Sequence, residues 1–564
     1  MTVPRFLAVI AGSATLRATL ARWAAAHAGM QVIWENGALV VLASPGASVS
    51  SLHDGLVVGR IVGEPSSLTI DTLIEGAWGN YVAFACAGAG GVTIVRAPMG
   101  TLPAFVTTIG GALVIASDVH DLVGVAGITP TINWDFMAGH LAFPHLRARA
   151  TGLAGIDEVM PGEKLVRNDE SSTISAAWLP WCFTGASLAM EDPVEAAELV
   201  RRAVTEAVSG LVQPFRHPLI ELSGGLDSSI LAASLRYLGA SANAVTVATT
   251  DPEGDEREHA RRVADYCGLA LAIRSVPEGI DLTSRDEVRG ARPGLPMILR
   301  LADRLFGDVA DATHADVFVS GTGGDSVFCS PVSAAPAADL LRRFGPGRQF
   351  ARTVADLAHL RDASIWRVGA MAVRQAFRPP VDRLWPRATA FLDPKMIPSS
   401  PPPHAWFDEP ALTRPGKRSH VRSILAAMAH LDGYPRHSVA PSIYPLMSQP
   451  VVEACLRVPT WLQVRQGRNR AIAREAFRRF LPAGHVDRRT KGGLDGYCSR
   501  AIAANRVRLK PYLLDGALAG AGLLDRLELE RYLSDPALPA DDRRFWLLPL
   551  IDAEAWSRSW VEAR

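Results

Sequence analysis

The stretch PLIELSGGLDSSILAASL, Pro218 to Leu235, restricts the possible folds of this chain more than any other feature. Apolar residues suited to a buried strand run into the turn SGGLDSS, and the turn runs directly into a helix-prone segment. Strand–helix alternation then continues: ANAVTVAT is followed by EREHARRVADYCG, then LALAIRSV, with ADVFVSG further on. Such alternation predicts a parallel sheet covered by helices. At the turn, glycines let backbone N–H groups approach an anion, the helix start carries partial positive charge, and serine hydroxyls donate. Asp227 opposes an anion unless a cation intervenes, and Mg2+ is the cation that combines carboxylates with phosphates. No Gly-Lys-Ser/Thr is present, so this is not a Walker A loop. Simple helix capping by Asp or Ser accounts for single residues but not for the whole string.

The 564 residues suffice for two or three domains, and 48% hydrophobic with 20% charged residues is a globular composition. A formal net charge of +1 gives no electrostatic case for nucleic acid or a membrane as partner. Six scattered cysteines without a CxxC pair argue against a disulfide scaffold or zinc ribbon and fit a reducing, cytoplasmic setting. No run of about 18 apolar residues predicts a membrane span. The opening MTVPRFLAVIAGSA has one basic residue and a short apolar core, which reads as a first strand rather than a signal peptide.

Residues 1 to about 180 contain dense strand candidates: GALVVLA, GNYVAFACA, GVTIVRA, AFVTTIG and ALVIAS. They predict a layered β-rich region. Residues 182–193 read as a linker, and PVEAAELVRRAVTEAVSGLV from Pro193 has helical spacing. Proline-rich 396–406 reads as a surface loop, and the chain from 417 onward as mainly helical.

SGGLDSS resembles the pyrophosphate loop of the ATP-pyrophosphatases, in their asparagine-synthetase-like branch. VSGTGGDSVF, 319–328, resembles that branch's second loop, usually Ser-Gly-Glu-Gly-x-Asp-Glu-x-Phe, and DPEGDEREHARRVADYCG resembles its acidic turn and helix. RNRAIAREAFRRFLP…DRRTKGG resembles its C-terminal basic pattern, with Arg470 where many relatives have lysine and Lys491 on the family's catalytic lysine. The resemblance implies an α/β protein with two domains. Residues 1–182 would be a degenerate glutaminase-like (Ntn-type) layered β-sandwich, and 190–564 a parallel-sheet ATP-pyrophosphatase domain. It implies ATP bound by Ser223, Gly224, Gly225, Asp227, Ser228, Ser229, Val247, Ser320 and Gly321, and Mg2+ shared by Asp227 and Asp325. It implies Lys491 and Arg470 as catalytic groups. Between residues 465 and 510 thirteen Lys/Arg face three Asp/Glu in an otherwise neutral chain. Such an excess suits a lid that neutralises triphosphate.

A working glutaminase of this family exposes an N-terminal cysteine, whereas this sequence opens Met1-Thr2 and has no cysteine before Cys86. The amine is therefore expected from a substrate rather than from glutamine. Three ligase readings remain: ammonia-using asparagine synthesis, β-lactam or carbapenam synthesis, and lasso-peptide cyclisation. A non-enzymatic peptide-binding scaffold is the reading from another class. Asparagine synthetases carry Glu-x-Arg-x-Pro-Phe-Leu-Asp near 436–459, where this chain has APSIYPLMSQP. YPLMSQPVVE, GRNRAIAREAF and RRTKGG together resemble lasso peptide cyclases. That resemblance implies a precursor core peptide as substrate, with a leader peptidase and a leader-binding protein as partners. Tyr444, His437 and Glu453 are candidates for the base.

Overall fold

The computed structural model describes the chain except for residues 1–3, 11, 87–90, 169–170, 250, 252–253, 278, 285–288, 332, 378–384, 489–491, 536–541 and 562–564. The protein is α/β. Two six-stranded antiparallel sheets come first in the chain, and a five-stranded parallel sheet follows. The expected first strand is present as Phe6–Ile10, paired with both Leu39–Ala43 and Ala112–Ala116. Its alternation divides two cores. Phe6, Ala8 and Ile10 pack between the antiparallel sheets with Val58, Val82 and Phe84, while Leu7 and Val9 face helices on the other side.

The helix Pro193–Val212 starts where its sequence directs. Asp192 caps it by accepting from the N–H groups of Val194 and Glu195, and proline occupies the first turn. Two short 3-10 turns, Pro180–Phe183 and Ala186–Leu188, lead into this helix. The parallel sheet has the order Ala270–Ser275, Asn243–Ala248, Pro218–Glu221, Val317–Val319, Ser442–Ile443. Pro218–Glu221 comes first in sequence but lies in the middle. Successive strands leave it in opposite directions, which opens a crevice at the carboxyl ends of the strands.

The fifth strand, Ser442–Ile443, was not expected within a mainly helical segment. It is two residues long and registers on Phe318 and Val319. Helices dominate the rest beyond 417, and three more lie at Ala335–Phe344, Arg348–Leu360 and Ile365–Phe377. One buried cluster runs through both parts of the chain, from Leu7 to Trp560. Trp178 donates to Glu453 at 2.8 Å and Trp385 to the Pro144 carbonyl at 2.9 Å, tying early and late segments together.

Candidate functional site

The turn after Pro218–Glu221 is built for close approach. Gly224 sits at φ +72°, and a Cβ there would lie 2.6 Å from the Ala260 backbone nitrogen. The helix Leu226–Tyr237 begins at Gly225 with no side-chain cap, so its first N–H groups face the turn's mouth. Ser223 Oγ lies 3.2 Å from Ser228 Oγ and accepts from the Gly225 N–H, and Ser229 donates to the Gly225 carbonyl at 2.6 Å. The loop after Val317–Val319 packs backbone to backbone against this turn. A Cβ on Gly321 would come within 2.9 Å of the Ser228 nitrogen.

The two loops bring Asp227 and Asp325 onto one cation. Arg470 Nη1 lies 3.0 Å from both Asp227 oxygens and 2.5 Å from Asp325 Oδ1. Arg470 adopts φ +52°, ψ +36° at the start of the helix Ala471–Phe477, a left-handed conformation that costs a side chain energy. Asp227 is nearly buried, whereas Asp325 is half-exposed. Among the described residues no three His, Cys, Asp or Glu side chains gather into a metal-holding group. The acidic donor set between the loops is therefore a carboxylate pair.

Two cavities meet at this pair. One, of about 350 Å³, lies at the strand ends and is lined by Ser223, Val247, Ser320, Gly321, Glu221 and Phe306, among others. The other, of about 420 Å³, is lined by Gly224, Asn469 and the guanidinium-bearing Arg470, Arg474 and Arg488. Gly225, Asp227 and Asp325 belong to both. Burial, together with the neighbouring Arg470 and Arg468, lowers Arg474 to about 10, which still leaves it charged at neutral pH. Burial and the Arg488 charge lower His485 to about 4, so the second cavity takes its positive charge from the arginines.

Of the predicted nucleotide-loop residues, Ser223, Gly225, Asp227, Ser228, Val247, Ser320 and Gly321 line the strand-end cavity and Gly224 lines the second, whereas Ser229 is buried and lines neither. Lys491 lies outside the described residues. The flanking residues are anchored beside the first loop: Arg488 Nη2 and the Gly492 N–H both meet Glu256 Oε1, and Arg488 Nη1 donates to the Gly224 carbonyl. The base candidates do not gather there. Glu453 accepts from Trp178 and Gln449, and His437 lies 3.0 Å from Ser442 Oγ; neither lines either cavity. Tyr444 is buried, and burial pushes its phenol well above the ordinary range, so it stays protonated.

Sequence reasoning missed Glu221, Asp303 and Arg436. Arg436 lies 2.6 Å from Glu221 and 3.2 Å from Asp303, and its N–H donates to Asp303. Glu221 looked like ordinary strand filling, and the only signal available was an acid at the end of an otherwise apolar strand. The fold also brings Glu221 within electrostatic range of Tyr444.

The family model described as asparagine synthase matches residues 199–558. Among solved structures, the chain is similar to glutamine phosphoribosylpyrophosphate amidotransferase from B. subtilis complexed with ADP and GMP. That match has 11% identity over 49% of this chain and 82% of the other, with a TM-score of 0.21. It is similar also to a structure described as the allosteric regulatory enzyme of purine biosynthesis, at 11% identity over 56% and 89%, with a TM-score of 0.20. At those scores neither likeness bears on fold or function. No curated protein matches.

Proposed function

This chain belongs to the asparagine synthase family, and from that premise we propose that it is a lasso peptide cyclase. It is an ATP-dependent amide-forming ligase; the proposal concerns its substrate. ATP is consumed to adenylate an Asp or Glu side chain of a precursor core peptide, with release of pyrophosphate. The peptide's own N-terminal amine then closes a macrolactam and AMP leaves. Residues 1–182 would serve as a degenerate glutaminase-like layer and 190–564 as the cyclase domain. A leader peptidase and a leader-binding protein would prepare the peptide.

The observation that carries the chemistry is the convergence of Asp227 and Asp325 on a single cation between two cavities. A carboxylate pair plus substrate phosphates suits Mg2+, which favours few protein ligands. Held by Asp227 and Asp325 in place of Arg470, Mg2+ would neutralise phosphate charge. The chain's own residues do the rest. Ser223, Gly224, Gly225 and Ser228 would cradle phosphate oxygens, Ser229 bracing the turn through the Gly225 carbonyl, while Val247, Ser320 and Gly321 would flank the nucleoside side. Arg470, Arg474 and Arg488 line the second cavity and would neutralise charge that develops at the α phosphorus, a role Lys491 would share. Enclosure protects an acyl-adenylate from water, and holding amine and acyl carbon together supplies much of the acceleration. The peptide reading itself is supported by the resemblance of YPLMSQPVVE, GRNRAIAREAF and RRTKGG to lasso peptide cyclases.

A second reading is β-lactam synthesis from a small amino-acid derivative, whose synthetases use a Tyr–Glu pair as base; Tyr444 lies in the electrostatic field of Glu221. Intact-mass analysis with ATP, Mg2+ and a leaderless core peptide separates the two. Loss of one water from the peptide with AMP formed supports the cyclase. AMP formed only with a β-amino acid derivative supports the second reading. No AMP with any carboxylate would sink both.

A further inference from the structure

Three carboxylates line the strand-end cavity: Glu221, Asp227 and Asp325. Arg470 binds the last two, on the phosphate side. Glu221 sits apart from them at the end of its strand, and its side chain keeps 18% of its surface exposed. Its Oε2 accepts from Ser320 Oγ at 3.1 Å, and Ser320 Oγ lies 2.9 Å from Thr322 Oγ1. Thr322 also lines the cavity and is only partly buried. A continuous row of proton carriers therefore leads from the accessible Thr322 hydroxyl to a recessed carboxylate.

We propose that Glu221 is the terminal proton acceptor of the amide-forming step, working through Ser320 and Thr322. The attacking amine enters neutral and becomes cationic as its nitrogen bonds to the acyl carbon. The bond from that carbon to the AMP oxygen breaks, and AMP leaves with the electron pair. One amine proton passes to Thr322 Oγ1, the Thr322 proton to Ser320 Oγ, and the Ser320 proton to Glu221 Oε2. Solvent later takes it from Glu221.

The surroundings tolerate both states of the acceptor. Arg436 is shared between Glu221 and Asp303, and Asp303 feels Arg300, which also faces Asp552. Burial raises Asp552 to about 7, so the row holds no fixed excess of charge, and Arg436 keeps Asp303 as a partner when Glu221 is protonated. Tyr434 and Tyr444 are the other titratable groups facing Glu221, and burial keeps both phenols protonated. Burial raises the Glu221 carboxyl above its ordinary value, against the pull of Arg436 and Ser320. That places it nearer to the pH at which a base is useful.

The inference rests on the ligase chemistry and deepens the proposed function, yet its test does not require a peptide substrate. Glu221→Gln, Glu221→Asp and Thr322→Val are compared with wild type using whichever carboxylate the wild type adenylates. Pyrophosphate exchange reads the first half-reaction. Hydroxylamine capture of the adenylate reads access to the acyl carbon by a nucleophile whose adduct sheds its proton to water unaided. In E221Q, exchange and hydroxamate formation are expected to stay near wild type, while amide formation falls roughly 100-fold or more. Beneath the acid limb that amine protonation itself imposes, amide formation by the wild type should fall by a second proton as pH drops through the Glu221 titration, and E221Q should lose only that second dependence. E221D should recover part of the rate, and T322V should resemble E221Q. A parallel loss of exchange, hydroxamate and amide would mean a structural role and overturn the proposal, as would a second-proton dependence that persists in E221Q. A wild type that adenylates only a β-amino acid derivative refutes the peptide reading, and the E221Q comparison is then made on that compound.

Discussion

Asp227 is the residue on which the two loops, the two cavities and Arg470 all depend. Asp227→Asn keeps its shape and removes its charge. AMP formation should fall about 100-fold or more, the scale for losing a charge aimed at a reacting phosphoryl group. The melting temperature should fall only modestly, because Asp325 still pairs with Arg470, and AMP formation unchanged from wild type would overturn this role for Asp227. Gly224 is a different case. An added methyl group meets the Ala260 backbone, and φ +72° disfavours any side chain. Gly224→Ala should cost about 1–3 kcal/mol in denaturant unfolding and raise the KM for ATP. Arg470 also takes an unusual conformation, but no glycine marks its position, so nothing in the sequence announced it.

At the scale of elements, the acidic turn before the helix Arg257–Cys267 holds the basic segment in place. Glu256 meets both Arg488 and the Gly492 N–H, on either side of the three residues left undescribed. Glu256→Gln should loosen that hold and lower turnover about 10-fold or more, because small misplacements of reacting groups are costly. Stopped assays of AMP at saturating ATP would measure it. Legibility from sequence follows the same lines. The strand–turn–helix unit was readable because its signal is local: apolar run, glycines, apolar helix. The strand Phe6–Ile10 was readable for the same reason. Ser442–Ile443 was not, since two residues carry no periodicity and its partners lie at Phe318 and Val319. The Glu221–Arg436–Asp303 cluster joins three segments far apart in sequence, so its members looked like an isolated strand acid and two ordinary helix or loop charges. The phosphate loops were visible as strings of residues, whereas the proton acceptor was visible only as a place.

Across the whole molecule, Glu158 is the charge that the two parts share. It is buried and meets Arg96 and Arg147 at 2.6 Å and Arg292 at 2.5 Å. Burial alone would raise its carboxyl, but Arg147, Arg292 and Arg96 outweigh that and hold it far below the ordinary value of 4.5. A depressed folded-state value stabilises the protein fully above the unfolded carboxyl's titration, and the gain is lost as pH falls below about 4.5. Glu158→Gln should therefore destabilise by about 3–5 kcal/mol at neutral pH, by leaving guanidiniums uncompensated, and flatten the acid limb of the stability profile. Urea unfolding at several pH values would read both effects. The buried cluster from Leu7 to Trp560 has a consequence of the same reach. Neither part closes its own interior: the space for a side chain at residue 152 is filled by Trp556, whose indole donates to the Gly290 carbonyl. A gene split between the sandwich and the parallel sheet would yield two fragments, each with an open apolar wall. Selection for amide synthesis alone is then enough to keep the sandwich in the chain, whether or not it performs any reaction of its own. It persists as the other half of its neighbour's folding problem.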